Sequence, residues 1–98
     1  MRVLSKSALS EHWRKRGRAD SEQALRSWFR EASMADWAGP SEVRDQYRSA
    51  SFVGDRVVFN IAGNKYRLVT WINYRYRIIY VRFVGTHAEY DRIDVETV

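Results

Sequence analysis

Residues 56–73 read RVVFNIAGNKYRLVTWIN and predict a pair of antiparallel strands. Two runs rich in β-branched and aromatic residues, Arg56–Ile61 and Lys65–Asn73, flank the pair Gly63-Asn64. A glycine-asparagine pair between two such runs is typical of a tight turn that joins antiparallel strands. A two-residue loop at this point places Asn60 opposite Arg67, and that register determines which side chains share a face of the sheet.

A third β-rich run covers Arg75–Val84, and Asn73-Tyr74 is predicted to be the second two-residue turn. This turn would place Arg67 opposite Tyr80, Lys65 opposite Arg82 and Trp71 opposite Tyr76. One face of the predicted sheet is apolar and is expected to pack against helices; it collects Val57, Phe59, Ile61, Tyr66, Leu68, Ile72, Ile79, Val81 and Phe83. The other face collects Asn60, Lys65, Arg67, Tyr80 and Arg82, with cations concentrated near Gly63-Asn64.

The residues before this sheet favour helices. Met1–Leu4 can form an edge strand, and Ser5–Arg16 has Leu9 and Trp13 on one helical face. A second helix, capped by Asp20 or Ser21, follows the helical spacing of Leu25, Trp28, Phe29 and Ala32 and ends at residues 37–40. Residues 41–49 can hold one more helical turn. The predicted fold is α+β, a single domain over residues 1–98 with two N-terminal helices on a twisted antiparallel sheet and a short C-terminal helical turn.

Composition excludes several classes of chemistry. The 98 residues include no cysteine and two histidines, so disulfides, thiolate catalysis and cysteine zinc sites are excluded, and neither a metal site nor a cofactor is expected. No run approaches the roughly 20 apolar residues that cross a bilayer. We therefore expect a cytoplasmic protein without membrane contact.

The charge distribution indicates a polyanionic partner. The net charge is +5, and the stretch from Arg56 to His87 contains six cations and no Asp or Glu. A face that serves solubility alone usually mixes both signs, so binding of nucleic acid is favoured over a merely solvated charged face. Base stacking on Tyr80 is possible on such a face, whereas Trp71 and Tyr76 are more simply a cross-strand aromatic pair.

A second motif, Gly85–Asp91, follows the last predicted strand. Thr86 and Glu89 have the spacing of a capping box, which predicts a short helical turn. On that turn His87, Tyr90 and Asp91 share one side and could transfer protons. The alternative is an ordinary surface histidine on a capped turn.

The segments NIAGNKYRLV (60–69), INYRY (72–76) and GTHAEYD (85–91) together resemble those of the HigB-type toxins of bacterial toxin–antitoxin modules, a group similar to the wider RelE-like superfamily. The resemblance covers about residues 52–94. It implies a small α+β fold, cleavage of mRNA, commonly on the ribosome, and inhibition by a HigA-like helix-turn-helix antitoxin. Contact with DNA would be indirect, through the antitoxin.

The resemblance also gives roles to residues. Lys65, Arg67, His87, Tyr90 and Asp91 become the expected catalytic residues of a metal-independent cleavage in which the RNA 2′-hydroxyl attacks the adjacent phosphate. In that reaction Lys65 would supply a point charge or, with a lowered pKa, a proton. The expected RNA-binding residues are Asn60, Asn64, Tyr80, Arg82, Arg75 and Arg77.

Two other functions remain open at this stage. A non-catalytic RNA- or ribosome-binding protein could block translation by occupancy alone. A DNA-binding protein is disfavoured, because no recognition helix is predicted from the sequence.

Overall fold

A computed structural model describes all 98 residues of the chain as an α+β fold. In chain order the elements are β1 (Arg2–Leu4), α1 (Lys6–Trp13), a 3₁₀ turn (Ala19–Ser21), α2 (Glu22–Met34), α3 (Pro40–Gln46), β2 (Ser51–Val53), β3 (Arg56–Ile61), β4 (Tyr66–Asn73), β5 (Ile78–Thr86) and α4 (His87–Tyr90). The predicted fold class is confirmed. None of the helices has the length and the apolar character needed to cross a membrane.

The five strands form one sheet in the order β1-β5-β4-β3-β2. All neighbouring pairs are antiparallel except β1, the predicted edge strand, which runs parallel to β5. The register of β3 against β4 is the predicted one, with Asn60 opposite Arg67 and Ile61 opposite Tyr66. Gly63, at φ 68°, adopts the left-handed backbone conformation that glycine tolerates at a tight turn.

The second hairpin differs from the prediction. Its turn has four residues, Tyr74–Arg77, because the Asn73 side chain accepts a hydrogen bond from the Tyr76 amide and Arg77 adopts a left-handed backbone at φ 58°. The register therefore pairs Trp71 with Tyr80 and Arg67 with Gly85. The predicted oppositions of Arg67 with Tyr80, Lys65 with Arg82 and Trp71 with Tyr76 are wrong.

A β-bulge changes the face assignment near the end of β5. Val69 lies opposite Phe83 and Thr70 lies opposite Val81, so Arg82 is the extra residue. Beyond the bulge the alternation reverses: Val84 packs against the core, and Phe83 lies on the other face, contrary to the prediction. The other residues predicted for the apolar face are buried: Val57, Phe59, Ile61, Tyr66, Leu68, Ile72, Ile79 and Val81.

The helical layer supplies the other half of the core. Leu9 of α1 and Leu25, Trp28 and Ala32 of α2 are buried and join the same apolar cluster as the sheet residues. This burial follows the predicted helical spacing. Trp28 meets Phe59 edge-on with ring centroids 5.4 Å apart, which fixes α2 against the centre of the sheet.

The expected caps of α2 are absent, since both side chains are used elsewhere. Ser21 occupies the N-cap position, but its hydroxyl donates to the Arg18 carbonyl at 2.7 Å and makes no cap hydrogen bond. Asp20 turns instead toward Lys65 and Tyr66. The 3₁₀ turn is thus tied to β4 rather than to the helix that follows it.

A buried histidine lies behind this turn. His12 is 2% exposed, and its Nδ1 is 3.0 Å from Ser21 Oγ. Because the Ser21 proton is donated to Arg18, Ser21 Oγ accepts from Nδ1–H and the Nε2 lone pair has no partner. Burial, reinforced by the positive charges of Arg18 and Lys15, lowers the pKa of His12 below its ordinary value of 6.5.

This environment predicts a pH-dependent stability. The folded state disfavours the His12 imidazolium, whereas the unfolded chain takes up the proton near pH 6.5, so the free energy of unfolding should decrease as the pH falls below that value. Thermal unfolding followed by circular dichroism between pH 7.5 and about pH 5 tests this. The His12→Gln variant should lose this part of the slope, and the control His87→Gln, at an exposed position, should keep it. An unchanged slope in His12→Gln would contradict the assignment.

Candidate active site

The two motifs meet at one end of the sheet. Tyr66 pairs with Thr86, and the His87 amide donates a 3.3 Å hydrogen bond to the Lys65 carbonyl. The turn that contains Asn64 and the turn that begins at Thr86 are therefore neighbours. Residues far apart in sequence come together because β4 begins where β5 ends.

Arg67 is a buried guanidinium without a carboxylate partner. The residue is 9% exposed. Its Nη1 donates to the main-chain oxygens of Asn64 and Tyr66 at 3.0 and 3.3 Å, and Nη2 donates to Asn64 Oδ1 at 3.1 Å. These acceptors are neutral, so the positive charge is hydrogen-bonded but not cancelled. Asn64, predicted to bind RNA, here positions Arg67, and Asn60 is paired with Arg67 across the strands.

Lys65 is held by an acidic residue from the helical layer. Its ammonium donates to Asp20 Oδ2, and the Tyr66 hydroxyl donates to Asp20 Oδ1. The hydrogen bond to Asp20 raises the pKa of Lys65, and the same bond, with that of Tyr66, lowers the pKa of Asp20. This ion pair favours the first of the two roles predicted for Lys65, a point charge, over the second, a proton donor with a lowered pKa.

The predicted capping box is present in α4. Thr86 Oγ1 accepts from the Glu89 amide at 3.2 Å, and the Glu89 carboxylate accepts from the Thr86 amide at 2.9 Å. His87 and Asp91 lie one turn apart, with Nδ1 and Oδ2 separated by 3.0 Å. His87 is more than half exposed, and a neutral imidazole that donates Nδ1–H to Asp91 leaves its Nε2 lone pair available to a ligand.

Glu89 also anchors this turn to the helical layer. Arg18 Nη2 donates to Glu89 Oε2 at 3.0 Å, and Nη1 lies 2.9 Å from Oε1. The Thr86 amide, followed by Arg18, lowers the pKa of Glu89. Sequence reasoning missed Arg18, Asp20 and Glu89 as parts of the site, because both ion pairs join residues separated by 45 or more positions. One signal was present in the sequence: the stretch from Arg56 to His87 contains no Asp or Glu, so any carboxylate that pairs with its cations must come from outside it.

The remaining predicted RNA-binding residues lie away from this end. Arg75 and Arg77 are in the turn at the far end of β4, roughly 23 Å along the strand from Tyr66. Tyr80 stacks on Trp71 with centroids 5.0 Å apart, and Arg82 Nε donates to the Val98 main-chain oxygen at 3.1 Å. These side chains do not join Arg67 in one cluster.

Three of the six cations between Arg56 and His87 are neutralised by a carboxylate from outside that stretch. The pairs are Arg56 with Asp55, Lys65 with Asp20 and Arg77 with Asp36. Arg67, Arg75 and Arg82 have no carboxylate partner, and of these three only Arg67 is buried. The uniform basic surface predicted from the sequence is therefore reduced to separate points of positive charge.

The arrangement at this end of the sheet can bind an anion and move a proton beside it. Arg67 provides directed N–H donors, Lys65 adds a fixed positive charge, and His87 offers an accessible imidazole nitrogen. No three histidine, aspartate or glutamate side chains converge in a way that could hold a metal ion.

Comparison with known proteins agrees with this geometry. The family model described as HigB_toxin, the RelE-like toxic component of a toxin-antitoxin system, matches residues 21–93. Those residues include the 3₁₀ turn's Ser21, the whole sheet except β1, and α4. A curated protein named mRNA interferase HigB, from Escherichia coli O6:H1 strain CFT073, is 28% identical over 96 residues, which cover 95% of this chain and 91% of that protein. The chain belongs to the HigB toxin family, the RelE-like toxic components of toxin-antitoxin systems.

Proposed function

We propose that this chain is an mRNA endoribonuclease that inhibits translation, with the end of the sheet around Arg67 as its active site. The observation that carries the proposal is the buried Arg67 guanidinium, which is oriented by Asn64 and Tyr66 but neutralised by no acid. A phosphate is the ligand that such a group binds best, since a guanidinium can donate to two phosphate oxygens at once. The name of the Escherichia coli relative, an mRNA interferase, supports RNA as the source of that phosphate.

Arg67 has donors left for this task. Nη1 and one hydrogen of Nη2 are engaged by protein oxygens, whereas Nε and the second Nη2 hydrogen have no protein acceptor. In the proposed complex these donors hold the scissile phosphate and stabilise the extra negative charge of the phosphorane. The Lys65 ammonium, which Asp20 holds in place, adds a further N–H donor.

His87 is the proposed general base. Asp91 accepts from Nδ1–H, so Nε2 can remove the proton of the RNA 2′-hydroxyl while the 2′-oxygen attacks phosphorus. The P–O5′ bond breaks, which leaves a 2′,3′-cyclic phosphate on one fragment and a 5′-hydroxyl on the other. The departing 5′-oxygen takes a proton, for which Tyr90 is the candidate donor at this end of the sheet.

The proposed partners follow from this function. The substrate is mRNA, read on the ribosome in the cytoplasm, and Asn60 beside Arg67 is the first residue expected to contact a neighbouring nucleotide. Tyr80 and Arg82 lie nearer the start of β5, away from the site, and would contact RNA only at a distance from the scissile phosphate. The neutralising partner is a HigA-like helix-turn-helix antitoxin, through which any contact with DNA would be made.

The competing function is a protein that blocks translation by occupying the ribosome without cutting RNA. Mapping of mRNA 5′ ends after induction separates the two functions. Cleavage produces new 5′-hydroxyl ends within coding sequences, and occupancy leaves the transcripts intact. Full-length transcripts in growth-arrested cells would overturn the nuclease proposal.

Substitution of Arg67 tests the phosphate site. Arg67→Lys keeps a positive charge but cannot make paired hydrogen bonds, and Arg67→Ala removes both. We expect RNA cleavage to fall by about 10²–10³-fold in Arg67→Ala, the usual loss when a donor to the transition-state oxyanion is removed. Arg67→Lys should fall between this variant and the natural chain, and Arg67→Ala should relieve growth arrest.

The matched control for this test is Arg48→Ala, because Arg48 is an exposed arginine that follows α3 and belongs to neither predicted set of site residues. Thermal unfolding of each variant establishes that the fold is retained. Equal toxicity of the Arg67→Ala variant and the natural chain would place the phosphate site elsewhere.

Substitution of His87 tests its role as the base. His87→Gln removes the Nε2 that accepts the proton of the 2′-hydroxyl, so the rate of cleavage should fall by about 10²–10⁴-fold, the range for loss of a general base. Asp91→Asn keeps the imidazole and should lower the rate less. A His87→Gln variant that cleaves RNA at the natural rate would exclude His87 as the base.

A further inference from the structure

A groove lies between α1 and α2 in the helical layer. Its volume is about 220 Å³, and its apolar lining consists of Leu9, Trp13, Leu25 and Phe29. Trp13 and Phe29 are only partly buried, unlike the two leucines, so their rings form the accessible part of the lining. None of these residues contributes to the site around Arg67.

Three cations surround this groove: Lys6, Arg26 and Arg30. The Lys6 ammonium lies 4.5 Å from the centre of the Phe29 ring, and the Arg26 guanidinium lies 4.7 Å from that of Trp13. No acidic residue lines the groove; of the two acids on α2, Glu22 pairs with Arg26 at 2.8 Å and Glu31 accepts a hydrogen bond from the Tyr47 hydroxyl. The aromatic rings are thus covered by side chains that can move aside, and those side chains attract carboxylates.

We propose that this groove binds an acidic segment of the antitoxin, whose apolar side chains contact Trp13 and Phe29 and whose carboxylates pair with Lys6 and Arg30. Charge complementarity selects this occupant: the rim is uniformly positive and the whole chain has a net charge of +5. An antitoxin partner is implied by membership of a toxin-antitoxin family, so the inference does not depend on RNA cleavage.

The surface also has room for a segment longer than one turn of helix. A second, polar depression shares Arg26 and Arg30 with the groove and continues past Ser27, Gln23 and Glu22 to Asp20. Both carboxylates of this depression are already paired, Glu22 with Arg26 and Asp20 with Lys65. A bound acidic segment would therefore extend over α2 toward the 3₁₀ turn, and Arg67 does not line either depression.

The test reverses charge at the rim. Lys6→Glu/Arg30→Glu changes two exposed residues that make no ion pair within the chain, so the fold should be kept. The control is Arg44→Glu/Arg48→Glu, which makes a similar change of charge on and after α3. It is matched closely, because Arg44 lies over the Phe52 ring at 4.6 Å as Lys6 lies over Phe29.

The probe is the purified cognate antitoxin, titrated calorimetrically at low and high salt. We expect the rim variant to bind about 100-fold more weakly at low salt, because each reversed charge repels a carboxylate, and to lose most of the salt dependence. The control should bind within about threefold of the natural chain. In cells, co-expressed antitoxin should no longer prevent growth arrest by the rim variant.

Two outcomes overturn the inference. One is a rim variant that binds the antitoxin as tightly as the control does. The other is a variant with unchanged antitoxin affinity but weakened binding to RNA, which would make the groove an RNA-binding surface. RNA cleavage by the free toxin is measured separately, so its absence in the natural chain would count against the proposed nuclease and leave the groove result intact.

Discussion

Hydrogen bonding along both edges of β4 fixes the positions of the neighbouring strands and of the residues at the candidate site. Tyr66–Asn73 pairs with β3 on one side and with β5 on the other, so the central strand cannot shift without breaking both ladders. The positions of Arg67 and His87 follow from this pairing. Pairing with β3 places Arg67 beside Asn60. Pairing with β5 places Thr86 beside Tyr66, so the next residue, His87, donates its amide hydrogen to the Lys65 carbonyl.

The first hairpin could be predicted and the second could not, for reasons that lie in the turns. Gly63-Asn64 gives a local signal that sets the register of β3 correctly. A two-residue turn was predicted at Asn73-Tyr74 in the same way, and there the prediction fails. The Asn73 side chain accepts a hydrogen bond from the Tyr76 amide, and Arg77 adopts a left-handed backbone that is uncommon for arginine. The resulting register differs from the predicted one by an even number of residues before the bulge, so the core face is still correct up to Val81.

The site divides in the same way into local and long-range parts. The capping box of Thr86 with Glu89 and the contact of His87 with Asp91 lie within one helical turn, and spacing alone predicts them. The pairs of Lys65 with Asp20 and Arg18 with Glu89 need the helical layer folded against the sheet, and no local pattern encodes them. They change the chemistry, since Asp20 raises the pKa of the lysine that sequence reasoning allowed as a proton donor.

The helical layer is therefore more than a cover for the core. Its 3₁₀ turn and the preceding Arg18 bind the sheet end through two ion pairs, from Asp20 to the turn before β4 and from Arg18 to the helix after β5. That turn is itself held from behind, because Ser21 bonds to the Arg18 carbonyl and accepts from the buried His12. Lys65 and Arg18 thus each pair with a carboxylate at this end of the sheet, whereas Arg67 donates only to neutral acceptors. The uncancelled charge lies on the strand that is paired along both edges, and its guanidinium is already held by three hydrogen bonds. Such a preorganised group can orient a phosphate with little further loss of side-chain entropy.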